Sequence, residues 1–247
     1  MAKFSHDTIV PYKNSELSKK QQVAAMFDNI AFRYDFLNRF LSIRIDVRWR
    51  KKAIKQLIDI NPKKILDVAT GTADVAIMAS KLLHPNKIVG IDISEGMLDI
   101  GRKKVQKSGL QNTIELLNGD CEAINFSDNS FDAVTVAFGV RNFQNLEKGL
   151  GEIKRVLKPS GKLVVLEFSK PKNVLTRIVY NLYMKIVAVN ISQLFSKNRK
   201  AYEYLDKSID KFPEGNFFIS ILNNLGYKKT YNKSMSLGIC SIYCGEK

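Results

Sequence analysis

Apolar positions along this chain alternate between two spacings, and the alternation outlines most of its elements. Ile65, Leu66 and Val68 form a short apolar run broken only by Asp67. Residues 74–83 then place Val75, Ile77, Met78 and Leu82 at helical spacing. A second apolar run over 87–93 passes through Asp92. The same reading predicts a helix over 95–107, strands over 114–117 and 131–138, a helix over 146–157 and a strand over 162–168, with Pro159-Ser160-Gly161 as the turn before it. Strand and helix alternating in this way predict an α/β fold, with a parallel sheet covered by helices on both faces and ligands at the carboxyl ends of the strands. Two last runs, 227–231 and 239–243, predict an antiparallel hairpin at the edge.

Two regions flank this core. Residues 1–17 are polar; Ser18 to Gln21 then has the form of a capping box, and Val23, Met26, Phe27 and Ile30 follow at i, i+3, i+4 and i+7. An aromatic-rich stretch over 32–41 leads through Trp49 into a basic helix ending near Ile60. The chain therefore divides into a helical lid over 1–60 and a cofactor domain over 61–247. A helical insertion over 172–212 follows the fifth strand. Its apolar part, 175–195, is interrupted by Asn181, Lys185 and Asn190, which makes it too polar to span a bilayer. Ile178, Leu182, Ile186 and Val189 would form one stripe, suited equally to core packing and to contact with a membrane or a greasy substrate.

The chemistry is concentrated at the first turn. Gly71 lies where the backbone must turn tightly and approach a ligand, and Asp92, ending the second strand, suits the two hydroxyls of a ribose. A dinucleotide site would repeat glycine where this chain has Ala73 and Ala76, and Asp74 would place negative charge where a pyrophosphate sits. S-adenosylmethionine has no phosphate and carries a sulfonium and an ammonium, so Asp67 and Asp74 favour it.

Composition narrows the picture further. The 247 residues, 45% hydrophobic, suit one domain with additions. Cys121, Cys240 and Cys244 form no disulfide framework, the start of the chain has no apolar signal segment, and a cytoplasmic protein with reduced thiols is expected. With only His6 and His84 to complete a ligand set, no metal is expected. Thirty-nine basic against 24 acidic residues, a formal charge of +15, suit an anionic membrane surface or a nucleic acid, although each lysine cluster by itself reads more simply as a solvated helix face. No nucleic-acid module accompanies the charge, so nucleic acid is not expected as a partner. A homodimer stays open, because oligomeric state leaves no mark in the sequence.

Four segments go beyond a generic methyltransferase: residues 32–38 with Trp49 and Arg50, Phe138-Gly139-Val140-Arg141-Asn142, residues 166–171, and residues 202–209 with Phe212-Pro213. Through them the chain resembles the demethylmenaquinone and polyprenyl-benzoquinol C-methyltransferases of quinone biosynthesis, from about Met26 onward. The resemblance implies a class I, Rossmann-like methyltransferase fold with a mostly parallel seven-stranded sheet and an antiparallel C-terminal hairpin. It implies S-adenosylmethionine as cofactor, contacted at Thr72, Asp92, Asp120 and Cys121, with Asp67 and Gly71 in the same turn and Ala137 where relatives often have serine. It also implies C-methylation of demethylmenaquinol to menaquinol. A polyprenyl-methoxy-benzoquinol is the alternative substrate, and a noncatalytic cofactor-binding scaffold is the alternative of another class. Arg141 and Asn142 fall where an oxyanion would need stabilising, and Asp28, Asp35 and Glu167 are candidate proton acceptors. The family usually has glycine at Ala73 and Gly-Gly at Ser160-Gly161, and Asp46 stands where many relatives have histidine. A methyl group at Ala73 is expected to require a negative φ.

Overall fold

The computed structural model describes residues 4–42, 44–171, 173, 174, 176–178 and 199–247. Its strands are β1 (Lys64–Val68), β2 (Lys87–Asp92), β3 (Ile114–Asn118), β4 (Phe131–Ala137), β5 (Leu157–Phe168), β6 (Lys228–Met235) and β7 (Cys240–Glu246). They form one sheet in the order β3-β2-β1-β4-β5-β7-β6, with β1 to β5 parallel and β7 antiparallel to both β5 and β6. The expected α/β class, the parallel sheet and the antiparallel hairpin are all present. Chain order reverses at β1, whose neighbours are β2 and β4, and this opens a crevice at their carboxyl ends.

The helices are α1 (Lys19–Leu41), α2 (Ile45–Ile54), α3 (Asp74–Leu83), α4 (Glu95–Lys107), α5 (Leu146–Val156), α6 (Arg199–Lys211) and α7 (Asn216–Asn224). Each strand sends alternate side chains to opposite faces. Leu66, Val68, Val134 and Val136 join Leu150 and Ile153 of α5 and Phe218 and Leu222 of α7 in one core. Ile65, Ile88, Ala133 and Val164 join Ile54, Ala76, Ala79 and Leu98 in the other. Helix starts follow local chemistry: the Ser94 hydroxyl accepts from the amide of Met97 at the head of α4, and Asn145 accepts from Lys148 at the head of α5. Gln21 accepts from the amide of Ser18 at 3.0 Å while the Ser18 hydroxyl accepts from Gln21 at 3.3 Å, which is the capping box read from the sequence.

Two expectations change. The amphipathic stretch and the aromatic-rich stretch are one continuous helix, α1, because no glycine or proline interrupts residues 19–41. The turn at Pro159-Ser160-Gly161 is a bulge inside a longer β5: Leu157 already pairs with Phe131, and the register resumes at Lys162 opposite Ala133. Ser160 takes φ 64°, and a Cβ on Gly161 would meet the Lys158 carbonyl at 2.8 Å. Helix α7 carried no expectation. Within the insertion, Ile178 is exposed, whereas Leu182, Ile186 and Val189 lie outside the described residues. Among the described residues no helix is long and apolar enough to cross a membrane.

Candidate active site

The crevice is built by the loops that follow β1, β2, β3 and β4. After β1 the chain turns through Ala69, Gly71 and Ala73, all with positive φ (53°, 55° and 65°). Ala73 therefore keeps its methyl group in a left-handed conformation, contrary to expectation. The turn holds because its amides are fixed: Thr70 donates to the Ile91 carbonyl at 3.0 Å and Ala73 to the Thr70 carbonyl at 2.9 Å. Beneath it Asp67 is buried and accepts from the hydroxyls of Thr70 at 2.7 Å and Thr135 at 2.6 Å. Burial pushes its carboxyl up to about 6. Asp67 thus braces the turn from below and does not line the crevice.

Asp92 ends β2 inside the crevice. One oxygen accepts from the Gly71 amide at 2.8 Å and the other from the Ser94 amide at 2.9 Å. Burial, with nearby Asp28 adding to it, lifts this carboxyl to about 6 despite those amides. Gly119, Asp120 and Cys121 contribute from the loop after β3, Ala137 from the end of β4, and Phe138, Gly139 and Asn142 from the segment after it. Gly139 is required there, since a Cβ would meet the Ala69 Cβ at 2.6 Å. The resulting cleft is walled by Val68, Ile91, Ile93 and Met97. Among its polar groups are the carboxylates of Asp92 and Asp120 at the ends of β2 and β3. Such a cleft suits a phosphate-free nucleoside carrying a cationic sulfonium better than a pyrophosphate, so the residues present suit S-adenosylmethionine.

Helix α1 closes the cleft. Lys20, Val23, Phe27 and Tyr34 line it from the lid side, with the Phe27 and Tyr34 rings edge to face at 5.9 Å. The same helix is fastened to each cofactor loop. Lys20 pairs with Asp120 and lies 3.5 Å from Glu122. Asp28 accepts from the Ser94 hydroxyl at 2.6 Å and the Gly96 amide at 2.9 Å. Asp35 accepts from Thr72 at 2.6 Å and Lys104 at 2.8 Å, and Lys104 also holds Asp74. Thr72 is thereby committed to the lid and is absent from the cleft wall, whereas Gly71, Asp92, Asp120, Cys121 and Ala137 all line it.

Beyond Phe138 an aromatic cluster continues away from the cleft. Phe138 packs on Phe168 at 4.6 Å, and Trp49 meets Phe138 at 6.4 Å and Phe168 at 6.2 Å. Arg50 lies over Phe138 and Arg141 over Phe168, each at 5.5 Å. Arg141 is buried and donates to Glu167 at 2.6 Å and to the Phe138 carbonyl at 2.7 Å, while its Nε is buried without a partner. Asn142 lines the cleft and accepts from the Tyr204 hydroxyl at 3.1 Å. Sequence reasoning did not single out Lys20, Lys104 or Tyr204. Lys20 was visible only as part of a capping box, and Tyr204 only as part of a family segment.

Sheet order, glycine turn, ribose-type acid and capped cleft together define a class I methyltransferase dependent on S-adenosylmethionine. A solved S-adenosylmethionine-dependent methyltransferase from Aquifex aeolicus shares this fold, with a TM-score of 0.56 and 20% identity over 78% of this chain and 88% of that one. The chain belongs to the ubiE/COQ5 methyltransferase family, whose model matches residues 15–247. It is 44% identical to a demethylmenaquinone methyltransferase of Bacteroides fragilis over 99% of both chains. It is 43% identical to a ubiquinone/menaquinone biosynthesis C-methyltransferase of Geobacter sulfurreducens over 97% of this chain and 93% of that one.

Proposed function

We propose that this enzyme methylates a ring carbon of a prenylated demethylmenaquinol, forming menaquinol, from the cytoplasmic side of an anionic membrane. The observation that carries this reading is the aromatic cluster of Trp49, Phe138 and Phe168, which runs directly from the cofactor cleft to the buried Arg141. Family membership narrows the acceptor to quinone precursors, and the near full-length similarity to a demethylmenaquinone methyltransferase favours the naphthoquinol. A polyprenyl-methoxy-benzoquinol is the second reading, supported by the relative named for both pathways.

When bound, S-adenosylmethionine supplies an electrophilic methyl on sulfur. The acceptor carbon must be electron-rich, which requires the quinol; a quinone ring is too electron-poor to attack. Positioning the two in line accounts for much of the acceleration. Arg141 stays cationic and retains an unused buried N–H, a donor suited to a quinol oxygen as it takes up negative charge. Asn142, held by Tyr204, places its amide at the junction of the cofactor cleft and this cluster. Asp28 and Asp35 are engaged in fastening the lid and Glu167 in the buried pair with Arg141, so the ring proton would leave through a water relayed to one of them. Competition between short-prenyl demethylmenaquinol and a methoxy-benzoquinol for labelled cofactor tests the substrate: the naphthoquinol should take most of the label, and preferential labelling of the benzoquinol would move the assignment.

A further inference from the structure

At the tip of the β6–β7 hairpin, Leu237 is 80% exposed in a conformation that penalises a leucine. Its φ is 57°, and its neighbours Ser236 and Gly238 have φ of 47° and 99°. Glycine or asparagine would take such a turn with less strain, so neither the turn nor the core accounts for a leucine here.

The tip is held firmly. The Ser236 hydroxyl accepts from Trp49 Nε1 at 2.8 Å, and the Gly238 carbonyl accepts from the Ser169 hydroxyl at 2.8 Å. Cys240 pairs with Phe168, the last residue of β5, so the tip projects past the carboxyl edge of the sheet on which the cofactor cleft opens. Leu237 therefore stands at the outer end of the contacts running from Phe138 through Phe168 and Trp49 to Ser236. The charge beside the tip is mainly basic: Lys233, near the tip end of β6, donates to Gln56 at 2.7 Å, and residues 48–56 contain five basic residues, of which Arg50 is buried against Asp46. Arg48, Lys51 and Lys52 are exposed beside Trp49.

We infer that the β6–β7 tip is a membrane-docking element, with Leu237 entering the acyl region of an anionic bilayer while Lys233 and the exposed basic residues of α2 meet lipid headgroups. An exposed apolar side chain on a rigid turn with a basic surround matches a lipid surface, where apolar burial and attraction to anionic headgroups add. Docking there would bring the aromatic cluster against the bilayer that holds a prenylated acceptor. The inference rests on the prenylated-quinol reading for its purpose and on Leu237 for its geometry.

Vesicle flotation tests it, using phosphatidylcholine vesicles with and without phosphatidylglycerol. The wild type should float with the anionic vesicles. Leu237→Gly removes the side chain and relaxes the backbone, and Leu237→Asp adds charge; each should weaken partition by about tenfold or more. Both variants should keep wild-type turnover on a short-prenyl quinol in solution and lose about tenfold on a long-prenyl quinol in vesicles. A wild type that does not float, or variants that float like it, would overturn the inference. So would sedimentation showing a dimer that Leu237→Gly dissolves while flotation is unchanged, since a second copy would then cover the tip. If flotation depends on Leu237 and neither quinol is methylated, docking stands and the substrate reading fails. If the soluble quinol is methylated and flotation ignores Leu237, the reverse holds.

Discussion

Glu167→Ala should be among the most damaging single changes near the site, because it strands a cation. The Glu167 side chain has no exposed surface and that of Arg141 retains only 5%. Their N–O distance is 2.6 Å, and Glu167 also accepts from the Phe168 amide at 2.9 Å. Breaking a buried pair by deleting one partner costs about 3–5 kcal/mol, since the remaining charge has neither water nor a counter-ion. With about 2–4 °C of melting temperature per kcal/mol in a domain of this size, Glu167→Ala should lower the midpoint by roughly 6–20 °C. Urea denaturation of Glu167→Ala, Arg141→Leu and the double variant forms the cycle. The double variant should lose about 1–3 kcal/mol less than the two single losses added together, because it leaves no unpaired charge. Glu167→Ala within about 1 kcal/mol of wild type, or strictly additive variants, would refute the reasoning. A loss of turnover without a loss of stability in Arg141→Leu would show instead that the guanidinium serves only the reaction.

Other consequences can be checked separately. Ribose hydroxyls need an ionised acceptor and the Asp92 carboxyl is lifted to about 6, so cofactor affinity should be constant above that pH and fall about tenfold per unit below it. Calorimetry across the range checks this, and flat affinity down to pH 5 would contradict it. Lys20→Ala removes a half-exposed contact between lid and Asp120, and stopped-flow should show cofactor release accelerated by about two- to fivefold with little change in melting temperature. Tyr204→Phe deletes the hydroxyl that holds Asn142, and should lower kcat about fivefold while leaving the KM for cofactor near wild type; a rise in that KM alone would remove the positioning role. Ser160→Gly relieves an exposed left-handed residue and should stabilise by up to about 1 kcal/mol in a urea melt.

Much of this architecture was legible because local and tertiary signals agree. Strands with alternating or continuous apolar residues, a capping box at Ser18 and an acid at the end of β2 each carry their own mark. Ala73 shows where reading stops. Its left-handed backbone belongs to a turn closed by its own hydrogen bond to Thr70 and pinned to β2 by Thr70 to Ile91, and alanine gives no sign of it. The same applies to Asp67 and Thr72. Both sit in the cofactor motif, yet long-range partners, Thr135 for one and Asp35 with Lys104 for the other, turn their polar groups away from the cleft wall. Asp28 and Asp35 read only as candidate proton acceptors, because nothing local shows that α1 lies across the strand ends and is fastened there through them. The α1 helix reads as two segments because its apolar stripe gives way to aromatics, although no glycine or proline lies between them.

The most direct test of the account is a single-turnover reaction of purified enzyme with methyl-labelled S-adenosylmethionine and short-prenyl demethylmenaquinone, with and without dithionite, read by product mass and the position of the label. One label on a ring carbon, formed only under reduction, is the expected result. Label on a quinol oxygen, equal labelling of the oxidised ring, or no transfer from an enzyme that binds the cofactor would contradict it.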